Sequence, residues 1–133
     1  MISTISSREE EPSSICSDDP NIIRLIDEAR KDVSLQFLGY DTRSRGGSDY
    51  RVLDHALRRA AARGVEVRLL VADWEKGTPS ERSLKELANV PNIEVKFSSI
   101  QDWSGGYVSF ARVEHCKFVV VDSETFWLGT SNA

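Results

Sequence analysis

The order of apolar and amphipathic stretches in this chain predicts an α/β fold, a mixed and largely parallel sheet packed with helices. Three observations carry that expectation. Strand-length apolar runs alternate with helix-length amphipathic runs through residue 97, the pattern of strands joined by helical crossovers. The internal run Val65 to Val71 is almost continuously apolar, as a strand buried in a parallel sheet should be. The last two strand-like runs are separated only by the turn at Asp122–Thr125. That is too short for a helical crossover, so they close the fold as an antiparallel hairpin and make the sheet mixed.

Each element has its own signal. Asp19-Pro20 reads as a helix start with Pro at the first helical position, and Ile22, Ile23, Leu25, Ile26 and Ala29 recur at helical spacing through Arg30. Val33 to Tyr40 reads as a strand. Residues 41–48 are a polar, glycine-bearing loop, and Ser48 is placed to cap a second helix with Leu53, Ala56, Leu57 and Ala60 inward and Gly64 as its stop. Thr78-Pro79-Ser80-Glu81 has the form of a capping box for a third helix, with Leu84, Leu87 and Ala88 inward. Pro91-Asn92 turns the chain into a strand at Ile93 to Phe97. A loop over residues 101–111 then leads to strands at Arg112 to Val121 and Phe126 to Leu128.

The whole is 133 residues, enough for one domain with a real core. Residues 1–18 are rich in Ser and Glu and read as a flexible lead-in, and residues 19–133 as the domain. A net charge of -4 argues against a protein that coats bulk nucleic acid, while leaving room for a local basic groove. Two cysteines, Cys16 and Cys116, make neither a disulfide framework nor a zinc cluster, and no metal or other cofactor is expected. The first residues lack the basic start and apolar core of a signal peptide, and no run is long and apolar enough to span a membrane. No compartment follows from the sequence.

Chemistry concentrates in the tail. His115 and Lys117 are two apart on a predicted strand, so both side chains leave one face, with Cys116 on the other. The predicted hairpin returns Thr130 and Asn132, again two apart. An imidazole, an ammonium, a hydroxyl and an amide gathered at one spot suit a phosphate diester. The ammonium and amide stabilise charge on the nonbridging oxygens, and the imidazole attacks phosphorus or moves a proton. Taken singly, a strand histidine or lysine is more often structural than functional; the set at this spacing carries the argument. Asp122 falls at the turn, out of phase with His115, and is expected to hold the hairpin rather than touch substrate.

The tail reads His115-x-Lys117, four residues, Asp122, six residues, then Gly129-Thr130-x-Asn132. This resembles the HxK(x4)D(x6)G[ST]xN signature, or HKD motif, of the phospholipase D superfamily, with every named position filled. The stretches LRRAAARGVEVRLLVADW and FARVEHCKFVVVDSETFWLGTSN are similar to the second catalytic half of the branch that includes phospholipase D3 and D4 and the poxvirus envelope enzymes. The resemblance implies a phospholipase D-like half domain and a metal-independent phosphodiesterase, a hydrolase acting on phospholipid or single-stranded nucleic acid. His115, Lys117 and Asn132 would be catalytic, Lys117, Thr130 and Asn132 would bind the phosphate, and Asp122 and Gly129 would be structural. It also implies two motifs meeting about a twofold axis, one histidine forming a phosphohistidine and the other serving as acid and base. This sequence holds one motif, so the second is expected from another half or from a second copy. The family's acidic residue that orients the histidine is not found after Asn132 either, and the chain looks like a fragment. The alternative is a catalytically inactive module that keeps the motif for an interaction or structural role.

Other polar residues carry blander expectations. His55 falls on the solvent face of the second helix, and Arg58, Arg59 and Arg63 read as a solvated helix face. Arg43 and Arg45 in the 41–48 loop follow a strand end where ligands often bind, but an ordinary exposed loop is the favoured reading. Trp103 and Tyr107 are equally suited to stacking a substrate and to packing the core.

Overall fold

In a computed structural model of the chain, the structure describes residues 20–40, 52–99 and 116–129, except for the side chain of Trp74. They form helix α1 (Pro20–Glu28), strand β1 (Asp32–Phe37), helix α2 (Val52–Ala62), strand β2 (Glu66–Val71), helix α3 (Pro79–Ala88) and strands β3 (Ile93–Phe97), β4 (Phe118–Val121) and β5 (Thr125–Leu128). A single 3-10 turn, Asp73–Glu75, follows β2. No helix among the described residues is long and apolar enough to cross a membrane.

The strands form a five-stranded sheet in the order β3-β2-β1-β4-β5. β1, β2 and β3 are parallel, and β4 and β5 join as an antiparallel hairpin, β4 lying against β1. The sheet is therefore mixed as the sequence predicts, and β3 matches its expected range. β1 is shorter than the predicted 33–40: pairing stops at Phe37, although Leu38 and Tyr40 stay buried. The strand expected over 112–121 pairs from Phe118 onward among the described residues. The lead-in 1–18, the predicted cap at Ser48 and both predicted loops lie wholly or largely outside the described residues.

Right-handed crossovers through α2 and α3, both moving the chain the same way along the sheet, place those helices on one face. α1 packs beside α2. That face holds the core: Ile22 and Ile26 of α1, Leu57 of α2, Leu84 and Leu87 of α3, and Val33, Val67, Val71 and Val119 of the strands are fully buried. Alternate strand residues on the other face, Glu66, Arg68, Glu94 and Lys96, are exposed, as period-2 alternation requires. Ala56 and Ala60, both buried, keep the inner surface of α2 small.

Two helix ends show how local sequence fixes the fold. Gly64 has φ 88, a conformation costly for any residue with a Cβ. Around it, Gly64 N donates to the Ala61 carbonyl and Val65 N to the Ala60 carbonyl, so α2 ends in a Schellman motif and the chain enters β2 directly. The capping box expected at α3 is altered. The Thr78 hydroxyl donates to the Glu75 carbonyl, and the Glu81 carboxylate accepts from Gly77 N rather than from Thr78 N. Thr78 N is already committed to the Glu75 carbonyl through the 3-10 turn, so the glutamate reaches one residue further back.

Candidate active site

Parallel strands define a polarity. At one end lie the carboxyl ends of β1, β2 and β3 and the start of β4; at the other lie the starts of β1, β2 and β3 and the β4–β5 turn. Ligands of open α/β sheets bind at the carboxyl end. Lys117 sits at that end, one residue before β4, with 4% of its surface exposed. It alternates in phase with the buried Val119 and Val121. Cys116 is exposed with a free thiol. The Lys117 carbonyl accepts from Gly129 N at 3.2 Å, so Lys117 and Gly129 lie opposite each other as the β4–β5 register continues. The two segments of the motif meet there.

Gly129 has no room for a side chain, because a Cβ would run into the six-membered ring of the Trp127 indole. Trp127 is a core residue. A glycine is thus required by the tryptophan that anchors β5, and the contact places the end of β5 against Lys117.

Asp122 lies elsewhere. It is five residues beyond Lys117 along β4, roughly 16 Å at the usual rise per strand residue, at the opposite end of the sheet. Asp122 and Ser123 have φ of 53 and 55, and Glu124 N donates to the Val121 carbonyl, the φ signature of a type I′ hairpin turn. Aspartate tolerates this left-handed conformation better than most residues. Its carboxylate accepts from the backbone N–H groups of Arg30 (3.1 and 3.0 Å), Lys31 (2.7 Å) and Asp32 (3.1 Å), and Asp122 N donates to the Asp32 carbonyl at 2.9 Å. Burial pushes this carboxyl up, but the N–H groups of Lys31, Arg30 and Asp32, with the Lys31 charge, outweigh it and hold the group below its ordinary value.

His115, Thr130 and Asn132 lie outside the described residues.

The arginines of α2 are not a uniformly solvated face. Arg58 Nε donates to Asp54 at 2.7 Å, and Asp54, 2% exposed, also accepts from the Tyr40 hydroxyl at 3.4 Å. Arg59 makes a bidentate pair with Asp27 of α1. Arg63 donates to the Ile26 and Ala29 carbonyls at the end of α1. His55 is exposed, as expected. Sequence reading missed the Tyr40–Asp54–Arg58 group, whose only prior signal was an aspartate flanking the apolar stripe of α2 with an arginine one turn later.

A mixed five-stranded sheet whose motif segments meet at the carboxyl end of its parallel strands defines a class of α/β protein, and similarity to known proteins agrees with it. Residues 22–133 match the family model described as Cardiolipin synthase, PLD-like domain. The chain belongs to this phospholipase D-like family. It is 32% identical over 117 residues to Phospholipase D Z of Dictyostelium discoideum, covering 84% of this chain and 28% of that protein. It is 34% identical over 122 residues to the 5'-3' exonuclease PLD4 of Mus musculus, covering 84% and 24%. The 5'-3' exonuclease PLD3 of Homo sapiens is 30% identical over 133 residues, covering 91% and 27%. The chain therefore spans about a quarter of the length of these curated relatives. Among solved structures, NucT from Helicobacter pylori shares the fold with a TM-score of 0.68 at 19% identity, over 84% of this chain and 64% of that one. Nuc from Salmonella typhimurium does so with a TM-score of 0.55 at 20% identity, over 77% and 55%.

Proposed function

We propose that this chain supplies one half of a metal-independent phosphodiesterase site. One observation carries the reading: Lys117, the lysine of the motif, is buried at the carboxyl end of the parallel strands, opposite the motif's own Gly129. In this mechanism one histidine attacks phosphorus. The bond from phosphorus to the leaving oxygen breaks, and a second histidine gives that oxygen its proton. The second histidine then takes a proton from water, which attacks the phosphohistidine and releases the phosphate product. His115 is one of the two. Lys117, Thr130 and Asn132 donate to the nonbridging oxygens as charge builds on them. The other histidine comes from a second motif, in another half of the same protein or in a second copy about a twofold axis.

The substrate is a phosphodiester of nucleic acid or phospholipid. The relatives named as exonucleases support a nucleic-acid strand. The competing reading is a catalytically inactive module that keeps the motif for an interaction or structural role. The test is turnover of bis(p-nitrophenyl) phosphate by the protein in the assembly it forms. His115→Ala is expected to abolish hydrolysis; turnover retained by that variant overturns the assignment, and a folded protein with no turnover in any assembly supports the inactive module.

A further inference from the structure

The described sheet has two outer strands, β3 and β5, and their edges are built differently. β3 carries Glu94 and Lys96, both exposed and paired with each other at 2.9 Å; charges on an edge favour water over a further strand. β5, Thr125-Phe126-Trp127-Leu128, has no charge, no proline and no bulge in its pairing with β4. Its Phe126 is 40% exposed and its Leu128 65%, and these are the exposed large hydrophobic side chains among the described residues. Both lie on the face of the sheet away from the core. Phe126 is opposite Val120 and Leu128 opposite Phe118, whereas Trp127 turns into the core opposite Val119. The backbone follows the same alternation. Gly129 N donates to the Lys117 carbonyl, so Thr125 and Trp127 turn their N–H and C=O groups toward β4, and Phe126 and Leu128 turn theirs outward. No strand among the described residues takes these outward groups.

We propose that β5 pairs edge to edge with β5 of a second copy of this chain. The alternation selects both the partner and the register. A twofold axis normal to the sheet at Trp127 runs the two strands antiparallel and keeps each face on its own side. Trp127 then meets its own copy, and on either side of the axis Phe126 of one copy meets Leu128 of the other. These are the residues whose backbone groups point outward, so each Phe126–Leu128 pair exchanges both of its N–H···O bonds. The exposed side chains are covered in the same step. Val120 and Phe126 of one copy and Leu128 and Phe118 of the other form an unbroken apolar row from β4 to β4, and the twofold repeats it. No like charges are opposed, because β5 has none. A contact 4 residues long falls below the roughly 1,200 Å² of a standard interface, so the dimer is reversible and forms as concentration rises. The same axis turns one sheet end for end relative to the other, which sets the two Lys117 residues at opposite ends. This pairing therefore does not join two motifs. It stands apart from the phosphodiesterase reading and leaves the carboxyl end of each copy to a second motif.

The experiment follows the whole protein through a dilution series by sedimentation velocity and by amide hydrogen exchange. Sedimentation is expected to pass from that of one chain to that of two as concentration rises. The Phe126 and Leu128 amides are expected to slow their exchange in step, while the Trp127 amide, which faces β4, is protected at every dilution. Phe126→Lys and Leu128→Lys each put a charge on the edge of both copies and are expected to weaken association by at least about tenfold, with the thermal midpoint of dilute protein unchanged. Lys96→Ala, on the other outer strand, is expected to leave association as it is. Protein that remains a single chain throughout overturns the proposal, as does association that survives both β5 substitutions. Association without slower exchange at Phe126 and Leu128 places the contact elsewhere on the molecule and overturns it too. Equal protection of those two amides at every dilution assigns the edge to a segment of the same polypeptide, which also overturns it.

Discussion

The two ends of the sheet are built differently. At the end holding the starts of the parallel strands, backbone groups are closed off by side chains brought from distant elements. Asp122 takes the N–H groups of residues 30–32, Arg63 takes the last carbonyls of α1, and Asn92, with φ 68, donates from its side chain to the Ala61 carbonyl. At the carboxyl end Lys117 is buried, and the Ser98 hydroxyl has no hydrogen-bond partner among the described residues, while Lys76 holds its ammonium 5.6 Å from the centroid of the Phe97 ring. One motif contributes to both ends, because β4 runs the length of the sheet between Lys117 and Asp122. A single short signature thus encodes a structural clamp and a chemical group that never meet.

The largest expected stability effect comes from breaking the clamp. Asp122→Ala removes a charged acceptor serving several N–H groups and puts alanine in a left-handed conformation, so unfolding free energy should fall by about 1.5–3 kcal/mol, read by urea denaturation. Gly129→Ala tests the open end's own scaffold. Its Cβ meets the Trp127 ring, and displacing a packed indole should cost about 1–3 kcal/mol. In contrast to Asp122→Ala, it should also lower turnover, because Gly129 is bonded to Lys117. A smaller effect is the pH dependence of the clamp. The folded Asp122 carboxyl lies below its ordinary value of 3.8, so its stabilisation is fully present above that value and is lost as pH falls through the folded pKa. The difference in stability between the unmutated protein and Asp122→Asn should therefore narrow only in acid, below about pH 4.

Much of this contrast was legible in residue order. Alternation of apolar runs foretold the layered fold, Gly64 marked the end of α2, and the place of Asp122 in the hairpin turn foretold a holding role for a residue that caps the N–H groups of residues 30–32, away from Lys117. What escaped was whatever depends on distant partners. Asp54 looks like an ordinary first-turn acid, and only the approach of Tyr40 makes its burial tenable. Arg59 and Arg63 look solvated until α1 supplies Asp27 and its terminal carbonyls. Ser98 is one of two adjacent serines, and nothing local separates the buried one from its exposed neighbour.

The division between the ends is tested most directly by measuring thermal midpoint and phosphodiester turnover per folded molecule for His115→Ala and Asp122→Ala side by side, below both transitions. A divided sheet predicts a crossed result: His115→Ala loses turnover by at least about a hundredfold and keeps its midpoint, whereas Asp122→Ala lowers the midpoint and keeps its turnover. Loss of turnover in a fully folded Asp122→Ala protein with an unchanged midpoint would place that carboxylate in the chemistry and contradict the account.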